Sequence, residues 1–434
     1  MNKIGLRKEE KLFETRVAVV PEHVEKLNTE HNIEFVVEPS QQRAFSQTEY
    51  ESAGAQILPL KASGTPVVLG IKEMPLEFFE KDVAYLFFSH TIKGQKYNMP
   101  MLQCMIDSGA TLLDYECVVD ENERRLIFFG NWAGMAGISD TFRALGERLE
   151  LEGLKPNPFA NLTPTLELKG LDGLREEFKG LGDRIRKQGL PEKLTPFVIG
   201  FAGYGNVSRG AQEIFDILPH KAVEPSSLPN LKPEPHLVYK CVFKEEHMVE
   251  PKDAASKFEL QHYYEMGSKA YEGIFERYIP YLTILMNCIY WTPDYPRLLT
   301  KDFIKKHWSR PDRKLRVIGD ISCDIKGAIE FTLNCTNPGA PTIVYLVDED
   351  RAERGIAGNG PVIMAVDNLP CELPRESSRS FSETLLRFIP VLSNTDFKAS
   401  DFSELELPRE LKNAVIVYRG KLTPDFEYLQ EFLS

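Results

Sequence analysis

The sequence predicts an α/β protein built on parallel β-sheets, and three observations support this fold class. First, short apolar runs alternate with helical segments through residues 1–120. These runs are apolar at nearly every position, as strands buried on both faces of a parallel sheet must be. Second, an apolar strand ends in a glycine-containing turn at 203–205, just before a helical segment. Third, further β-like runs follow that turn, which indicates a second sheet and a second domain.

The first domain is predicted to contain four strands and one long helix. Strands are expected at 33–38, 65–72, 83–90 and 110–116, where apolar and β-branched residues are concentrated. A helix is expected over 132–150, because apolar residues recur there at helical spacing with small residues between them. This helix is predicted to leave the first domain.

The second half of the chain is predicted to form another sheet. Residues 157–190 are rich in Pro, Gly and charge, which predicts a connector or a short helical excursion. Strands are then expected before the glycine turn and at 220–224, 282–291, 314–322 and 341–347, with a helix at 250–280. The amphipathic last segment, 407–433, is expected to pack back on the first domain.

Composition and charge exclude several classes of protein. The formal net charge of −12 argues against an electrostatic nucleic-acid binder, which needs an excess of Lys and Arg on one face. No stretch approaches the roughly 20 apolar residues of a membrane span, so neither a membrane nor a nucleic acid is expected as a partner. The seven cysteines are scattered singly, which predicts reduced thiols and no metal site. Because the start, MNKIGLRKEE, lacks the apolar core of a signal peptide, a cytoplasmic location is expected.

The turn in VIGFAGYGNVSRGA predicts dinucleotide binding. Gly203 and Gly205 allow a tight turn and a close approach of the backbone to a pyrophosphate, and a helix is expected to begin near Val207. Ser208 replaces the usual third glycine and is small enough for close helix packing. Glu224 closes the next predicted strand roughly 20 residues on, where the fingerprint places a carboxylate for the ribose. An ordinary strand-to-helix turn is the alternative. Taken alone, Glu224 favours NAD over NADP.

Polar side chains at the ends of predicted strands in the first domain suggest acid–base chemistry. Lys72 follows one apolar strand and His90 follows another, at the sheet edge where ligands bind. Each alone is more simply read as a solvent-exposed strand end. Together, a Lys of lowered pKa and a His suit the proton transfers that reduction of an imine requires. Arg16 and Arg125 suit the recognition of carboxylates, although such arginines often only form solvated ion pairs.

Several motifs together resemble the superfamily of alanine dehydrogenase, transhydrogenase and saccharopine dehydrogenase. The N-terminal IGLRKEEKLFETRVAVVPEHV, with GIKEMP and FFSHTIKGQ, carries this resemblance. Six further motifs are similar to the lysine-ketoglutarate reductase half of the bifunctional aminoadipic semialdehyde synthases of animals and plants: FFGNWAGMAG, GYGNVSRGAQEIF, VEP, NCIYWTPDYPRLLT, GDISCDIKGAIEF and VDNLPCELPRESS. The similarity follows nearly the whole chain in order.

The resemblance implies an activity and a set of site residues. The activity is condensation of L-lysine with 2-oxoglutarate and reduction of the imine to saccharopine, or the reverse. Lys72 and His90 match the acid–base pair. The residues that match substrate contacts are Arg16, Lys93, Glu116, Arg125, Phe129 and Asp367. Those that match the cofactor loop are Gly203, Gly205, Asn206, Val207 and Ser208, and those that approach the nicotinamide are Cys288, Ile289 and Asp320.

The resemblance also implies an architecture, a cofactor and a partner. Two Rossmann-like domains with an active-site cleft between them are expected, the first discontinuous (1–135 plus 372–434) and the second continuous (136–371). The cofactor is expected to be NADP(H), with NAD(H) possible. Because the chain stops where the reductase half would end, a stand-alone reductase is expected, with a possible separate saccharopine oxidase in the pathway.

Two rival functions remain open. One is an alanine-dehydrogenase-like or opine-type enzyme acting on a different amino acid, for which a second carboxylate clamp would have no use. The other is a dinucleotide-binding regulator without catalysis, which predicts a degraded active site. The Lys72, His90, Arg16 and Arg125 set argues against the second of these rivals.

Overall fold

The computed structural model describes residues 2–433, and the chain forms two compact units. The first unit comprises Met1–Phe129 together with Pro374–Ser434, and the second comprises Gly130–Leu373. The domain boundary predicted after residue 135 falls inside a helix that begins at Gly130. The chain passes from the first unit to the second at the start of that helix.

The two units contain the following strands and helices. The strands are β1 (Lys3–Leu6), β2 (Glu34–Val37), β3 (Gln56–Ile57), β4 (Val67–Leu69), β5 (Ala84–Phe87), β6 (Thr111–Asp114), β7 (Val198–Ala202), β8 (His220–Val223), β9 (Val238–Phe243), β10 (Val249–Pro251), β11 (Tyr271–Gly273), β12 (Ile284–Asn287), β13 (Val317–Asp320), β14 (Thr342–Leu346), β15 (Arg351–Arg354), β16 (Val362–Met364), β17 (Val415–Tyr418) and β18 (Lys421–Leu422). The helices are α1 (Pro21–His31), α2 (Gln47–Ser52), α3 (Met99–Ser108), α4 (Gly130–Leu151), α5 (Gly170–Gln188), α6 (Asn206–Phe215), α7 (Glu245–Met248), α8 (Leu260–Met266), α9 (Lys301–Trp308), α10 (Pro374–Leu385), α11 (Ile389–Asn394) and α12 (Arg409–Lys412). Within residues 2–433, none of these helices has the length and apolar character needed to cross a membrane.

The first unit is built on a sheet of eight strands in the order β18-β17-β6-β5-β4-β1-β2-β3. The six strands from β6 to β3 are parallel, and both faces are covered: Ala84 and Leu86 of β5 enter one apolar cluster, whereas Tyr85 and Phe87 enter the other. This two-sided burial is why the predicted strands are apolar at consecutive positions. The segment 407–433 supplies β17, which pairs antiparallel with β6, and β18.

The second unit is built on another sheet of eight strands, and its order departs from that of the first. The order is β15-β14-β16-β13-β12-β7-β9-β8, in which β7, β8, β9, β12, β13 and β16 are parallel. In the first unit the opening strand, β1, lies beside the strand that follows it in sequence. In the second unit β9 lies between β7 and β8. The predicted α/β class with two mostly parallel sheets is confirmed.

Three local predictions differ from the structure. Residues 170–188 form the 19-residue helix α5, because Leu174, Phe178, Leu181 and Ile185 recur on one buried face despite four glycines in the segment. The predicted helix at 250–280 is wrong, since the region contains only the short helix α8, short 3-10 turns and the small antiparallel pair β10–β11. Strands β1 and β9 were not predicted, because polar residues interrupt their apolar runs.

Helices α4 and α6 of the second unit pack closely, and glycines make the approach possible. A Cβ atom placed on Gly134 would lie 2.0 Å from the backbone oxygen of Val207, and one on Gly210 would lie 2.0 Å from that of Asn131. Neither contact can be relieved by moving a side chain, because both involve backbone atoms. The contact holds the start of α6 against α4, and α6 is the helix that follows the glycine turn.

Replacing Gly134 by Ala should destabilise the second unit by about 1–3 kcal/mol, the usual cost of overpacking. Gly180 on α5 is the matched control, since its added Cβ would meet nothing nearer than the Arg184 guanidinium at 4.0 Å. Gly180→Ala should therefore stabilise by roughly 0.5–1 kcal/mol through helix propensity. Urea denaturation of both variants measures the effects, and equal shifts of the same sign would contradict this account of α4–α6 packing.

Candidate functional site

Lys72 and His90 lie on neighbouring loops at the carboxyl edge of the first sheet. Strands β4 and β5 are parallel neighbours, and Leu69 pairs with Leu86, so the two loops leave the sheet side by side. Glu73 joins them, since its Oε1 lies 2.6 Å from Nδ1 of His90. The structure therefore brings together the two residues that the sequence singled out, and adds a carboxylate that the sequence reasoning missed.

His90 is held in an unusual backbone conformation. Its φ is +49°, in the left-handed region that residues other than glycine seldom adopt. The side chain of Asn98 stabilises this turn by donating to the backbone oxygens of Ser89, at 3.0 Å, and of His90, at 3.2 Å. Strained backbone of this kind persists only where several contacts determine it, and it is typical of functional sites.

The Glu73 carboxylate fixes the state of the His90 ring. Burial opposes its ionisation, but the hydrogen bond and positive charge of His90 outweigh burial and lower the pKa of Glu73 to about 2. An ionised carboxylate beside Nδ1 keeps a proton on that nitrogen. This leaves Nε2 as the ring nitrogen that can accept or donate a further proton.

Lys72 lies in surroundings that favour its neutral amine. Burial, followed by the positive charges of Arg16 and Lys11, lowers the pKa of Lys72. A lysine with a lowered pKa can accept a proton at neutral pH, which an ordinary solvated lysine seldom does. The electrostatic effect of Arg16 on Lys72 also shows that both predicted residues belong to one charged cluster.

Glu9 is a further member of this cluster that the sequence reasoning missed. Its carboxylate accepts the backbone N–H groups of Ile71, at 2.6 Å, and of Lys72, at 2.9 Å, and so holds the turn after β4. Burial, and then repulsion by Glu14, raise the pKa of Glu9 to about 8. In the sequence Glu9 stands in the charged run RKEEK, which is indistinguishable from a solvated loop.

Arg16 is buried and already paired. It forms a two-point ion pair with Glu14, with Nε–Oε1 at 2.8 Å and Nη2–Oε2 at 2.5 Å, and its guanidinium carbon lies 4.1 Å from the centre of the Phe129 ring. Phe129 in turn stacks on Phe381 at 4.6 Å. These contacts fix the guanidinium firmly, while the Glu14 charge offsets its own. Its predicted contact with a substrate carboxylate stays a prediction.

The loop after β6 carries two more of the predicted residues. Arg125 Nη1 lies 3.2 Å from Glu116 Oε1, and the Arg125 side chain is 47% exposed whereas that of Glu116 is 14% exposed. The buried Asp114 connects this loop to the His90 loop, because it accepts the backbone N–H of Glu116 at 2.7 Å and that of Ser89 at 2.9 Å. Lys93 is exposed, three residues beyond His90.

The glycine turn of the second unit leaves open space in front of the start of α6. Gly203 has φ +94°, and a Cβ atom there would lie 3.1 Å from the Ile289 side chain, so only glycine fits. A Cβ on Gly205 would meet no atom within 4 Å, which leaves open space in front of the turn. Helix α6 begins at Asn206 without a side-chain cap, so its first N–H groups are oriented towards that space. Val207 and the buried Ser208 follow in its first turn.

Asp320 and Cys288 lie at the ends of β13 and β12, beside the glycine turn. The buried Asp320 accepts from Asn287 Nδ2 at 2.8 Å and from Thr332 Oγ1 at 2.6 Å, and burial raises its pKa to about 6. The Cys288 backbone N–H donates to Ala202 at 3.1 Å, and burial raises the pKa of its thiol. Ile289 contributes the side chain against Gly203. These contacts fix the strand ends over which a nicotinamide is expected.

Two further predicted site residues lie in the second unit. Asp367 follows β16, within the predicted range 136–371, and its N–H donates to the Thr336 backbone oxygen at 3.3 Å. Glu224 follows β8, and β9 separates β8 from the glycine turn's own strand, so its contact with a cofactor ribose stays a prediction. Within residues 2–433, no group of three or more His, Cys, Asp and Glu side chains is arranged to hold a metal ion.

A Lys, Glu and His cluster at the edge of one parallel sheet and a glycine turn before a helix in another are features of nicotinamide-dependent oxidoreductases with two domains. Comparison with protein families agrees. Residues 5–136 match the family described as "Alanine dehydrogenase/PNT, N-terminal domain", and residues 293–425 match "Alanine dehydrogenase/PNT, C-terminal domain". The chain belongs to the alanine dehydrogenase/PNT family.

The chain is also similar to individual proteins of known name. An "Alpha-aminoadipic semialdehyde synthase" from Arabidopsis thaliana is 36% identical over 410 residues, which cover 91% of this chain and 37% of the plant protein. The chain thus spans less than half of that relative's length. A "Saccharopine dehydrogenase (NAD(+), L-lysine-forming)" from Schizosaccharomyces pombe is 26% identical over 413 residues, covering 91% of this chain and 94% of the yeast protein. The structure of an L-alanine dehydrogenase, 18% identical, aligns over 100% of both chains with a TM-score of 0.60, which shows the shared fold.

Replacing Glu9 by Gln should change the way in which stability depends on pH. The folded protein keeps the Glu9 proton up to about pH 8, whereas the unfolded chain loses it near the usual pKa of 4.5. Between these values the folded state binds more protons, so the free energy of unfolding falls as pH rises, by up to about 1.4 kcal/mol per pH unit. Glu9→Gln removes this slope, so the stability of the variant relative to the wild type should increase across that range.

Urea denaturation between roughly pH 5 and roughly pH 8 measures the slope. Glu10→Gln is the matched control, since Glu10 is exposed and its hydrogen bond with Arg7 outweighs burial and lowers its pKa. Its charge is therefore constant over this range, and its variant should keep the slope of the wild type. A Glu9→Gln variant with the same slope as the wild type would contradict the raised pKa of Glu9.

Proposed function

We propose that this protein reductively condenses L-lysine with 2-oxoglutarate to saccharopine, or catalyses the reverse reaction, with a nicotinamide dinucleotide as cofactor. The observation that carries the proposal is the pairing, at one sheet edge, of a lysine of lowered pKa with a histidine oriented by a carboxylate. The similarity to the plant synthase and to the yeast L-lysine-forming dehydrogenase supports the choice of substrates.

The proposed reaction assigns different tasks to Lys72 and His90. The amine of the substrate must lose a proton before it attacks the keto carbon, and Lys72, whose pKa is lowered by burial, accepts that proton. The resulting carbinolamine must then lose its oxygen as water, and His90 supplies a proton to that oxygen through Nε2 while Glu73 stabilises the charged ring. The bound nicotinamide supplies the hydride that reduces the imine carbon. In the reverse direction His90 accepts a proton from the attacking water, and Lys72 returns a proton to the amine of the substrate.

The substrate carboxylates are proposed to meet the arginines of the first unit. A dicarboxylic keto acid and an amino acid bring three carboxylates, and a guanidinium binds both oxygens of one carboxylate in a fixed geometry. Arg125 is the more accessible of the two predicted arginines, with a side chain that is 47% exposed and one ion-pair contact, to Glu116. Arg16 is the more rigid, since Glu14 and Phe129 both hold it.

We propose NADP(H) as the preferred cofactor, with NAD(H) as the alternative. The chain is 36% identical to the plant synthase and 26% identical to the yeast enzyme whose name specifies NAD(+). The greater similarity to the plant synthase supports NADP(H), because the resemblance to that group implies it. Parallel assays with NADPH and NADH under the same conditions test the preference directly.

Lys72→Met and His90→Gln should each lower turnover of lysine with 2-oxoglutarate by about 10²- to 10⁴-fold, as expected when an acid–base group is lost. The loss of absorbance of the reduced nicotinamide measures turnover, and binding of the dinucleotide should remain unchanged in both variants. Unchanged turnover in both would refute the site assignment. Turnover of the wild type with alanine and pyruvate, but not with lysine and 2-oxoglutarate, would favour the alanine-dehydrogenase-like alternative.

Arg125→Ala should raise KM for 2-oxoglutarate or for lysine with a smaller effect on kcat, because a carboxylate contact is lost at the binding step. KM should rise by about 10-fold or more, as expected when a hydrogen bond to a charged group is removed. Arg124→Ala is the matched control: Arg124 is adjacent, its side chain is 74% exposed and it pairs with Asp120. Equal effects of the two substitutions on KM would show that Arg125 acts only through general charge.

A further inference from the structure

The strand order of the second unit determines which side chain lies beside the glycine turn. In a dinucleotide-binding sheet, the ribose next to the adenine is recognised at the end of the strand that neighbours the turn's own strand. Here that neighbour is β9, because Val198 to Ala202 of β7 pair with Tyr239 to Phe243. The Gly203 N–H also donates to the Phe243 backbone oxygen at 2.9 Å. The carboxylate that follows β9 is Glu245, the first residue of α7.

A cavity in the second unit opens directly on this carboxylate. It has a volume of about 420 Å³ and is lined by the glycine turn, by the end of β12 and by several aromatic side chains. This volume lies within the usual range for small-molecule sites. Of the described residues that line it, Glu245 is the one with a side chain charged at neutral pH. Half of the other lining residues are tyrosines, which provide flat, partly polar surfaces suited to a nucleoside.

Tyrosines hold the Glu245 carboxylate in place. The hydroxyl of Tyr264 donates to Glu245 Oε1 at 2.8 Å, and the hydroxyl of Tyr295 donates to the backbone oxygen of Tyr264 at 3.0 Å. Tyr204, within the glycine turn, lies beside the same carboxylate: burial and then the Glu245 charge raise the pKa of its hydroxyl. The carboxylate is thus fixed at the rim of the turn by contacts from α8 and from the turn itself.

Glu224 is one strand further away. It follows β8, which pairs with β9 at the end of the strand order, and neighbouring strands are about 4.8 Å apart. Its charge acts on Cys241 of β9 and on His247 of α7, and it does not line the cavity. Glu224 is also exposed, as expected for a residue at the outer edge of the sheet.

We propose that Glu245, and not Glu224, is the carboxylate that binds the adenosine ribose hydroxyls and acts against a 2′-phosphate. The proposal rests on the proposed use of a nicotinamide dinucleotide, and it concerns the choice between its two forms. A carboxylate accepts hydrogen bonds from the ribose hydroxyls and repels a phosphate at the same position. Glu245 therefore lowers the preference of this protein for NADP(H) over NAD(H), whichever form the wild type binds more tightly.

The test compares Glu245→Gln with Glu224→Gln, two isosteric substitutions that remove the same charge. Dissociation constants for NADPH and NADH are measured by quenching of tyrosine and tryptophan fluorescence, without lysine or 2-oxoglutarate. Glu245→Gln should tighten NADPH and weaken NADH, so that the ratio of their constants changes by about 10-fold or more. Glu224→Gln should change this ratio by less than about twofold, a difference below 0.5 kcal/mol by RT ln 2.

Tyr264→Phe provides a second variant, since it removes the hydrogen bond to the carboxylate but retains the charge. It should weaken NADH and leave the repulsion of NADPH in place. The proposal is overturned if Glu224→Gln shifts the ratio and Glu245→Gln does not, if both shift it equally, or if the wild type binds neither dinucleotide. Normal binding without turnover of lysine and 2-oxoglutarate would instead refute the proposed reaction, while the assignment of Glu245 would still be decided by the binding ratios.

Discussion

The carboxylate of Glu9 accepts the backbone N–H groups of Ile71 and Lys72, and the polar edge of the first sheet depends on this interaction. A turn that leaves a buried strand exposes N–H groups that must find acceptors, and the two oxygens of the Glu9 carboxyl group supply them. Once the turn is fixed, Lys72 stands among Arg16 and Lys11, which favour its neutral form. The next residue, Glu73, is then within reach of His90. One carboxyl group thus holds the turn that carries Lys72 and Glu73, and Glu73 in turn contacts His90.

This arrangement is costly, and the surrounding contacts offset the cost. Burial favours the protonated form of Glu9 and the neutral form of Lys72, and the backbone at His90 adopts a left-handed conformation. Each of these features lowers stability if considered alone. Asn98 and Glu73 fix the His90 loop from two sides, so it cannot relax to an ordinary conformation without losing both hydrogen bonds. Holding these ionisable groups in states that water would not favour therefore lowers the free energy of unfolding, and the contacts of Asn98 and Glu73 compensate in part.

The sequence allowed much of the sheets and part of the site to be predicted, and the limits have physical causes. Strands buried on both faces are apolar throughout, so β4, β5 and β6 could be recognised, and with them Lys72 and His90 at the strand ends. Glu9 and Glu14 could not, because a charged run gives no sign of which carboxylates become buried. The prediction of a helix at 250–280 failed for a related reason. Aromatic residues of this region pack around short turns in the second unit, and such packing leaves no periodic pattern in the sequence.

The two sheets also show why a fingerprint read along the chain can point to the wrong carboxylate. A fingerprint counts residues, whereas a ligand meets the strands that are neighbours in space. In the first sheet the two orders agree around β1, which lies beside β2. In the second sheet β9 lies between β7 and β8. Glu224, at the end of β8, is therefore one strand away from the turn, and Glu245, after β9, lies next to it. Both strands run parallel to β7 and both end near a glutamate. They differ in strand order, because β9 pairs directly with β7 and β8 does not. Assigning ribose recognition in this fold therefore requires the order of strands in the sheet, and the spacing of residues along the chain is insufficient.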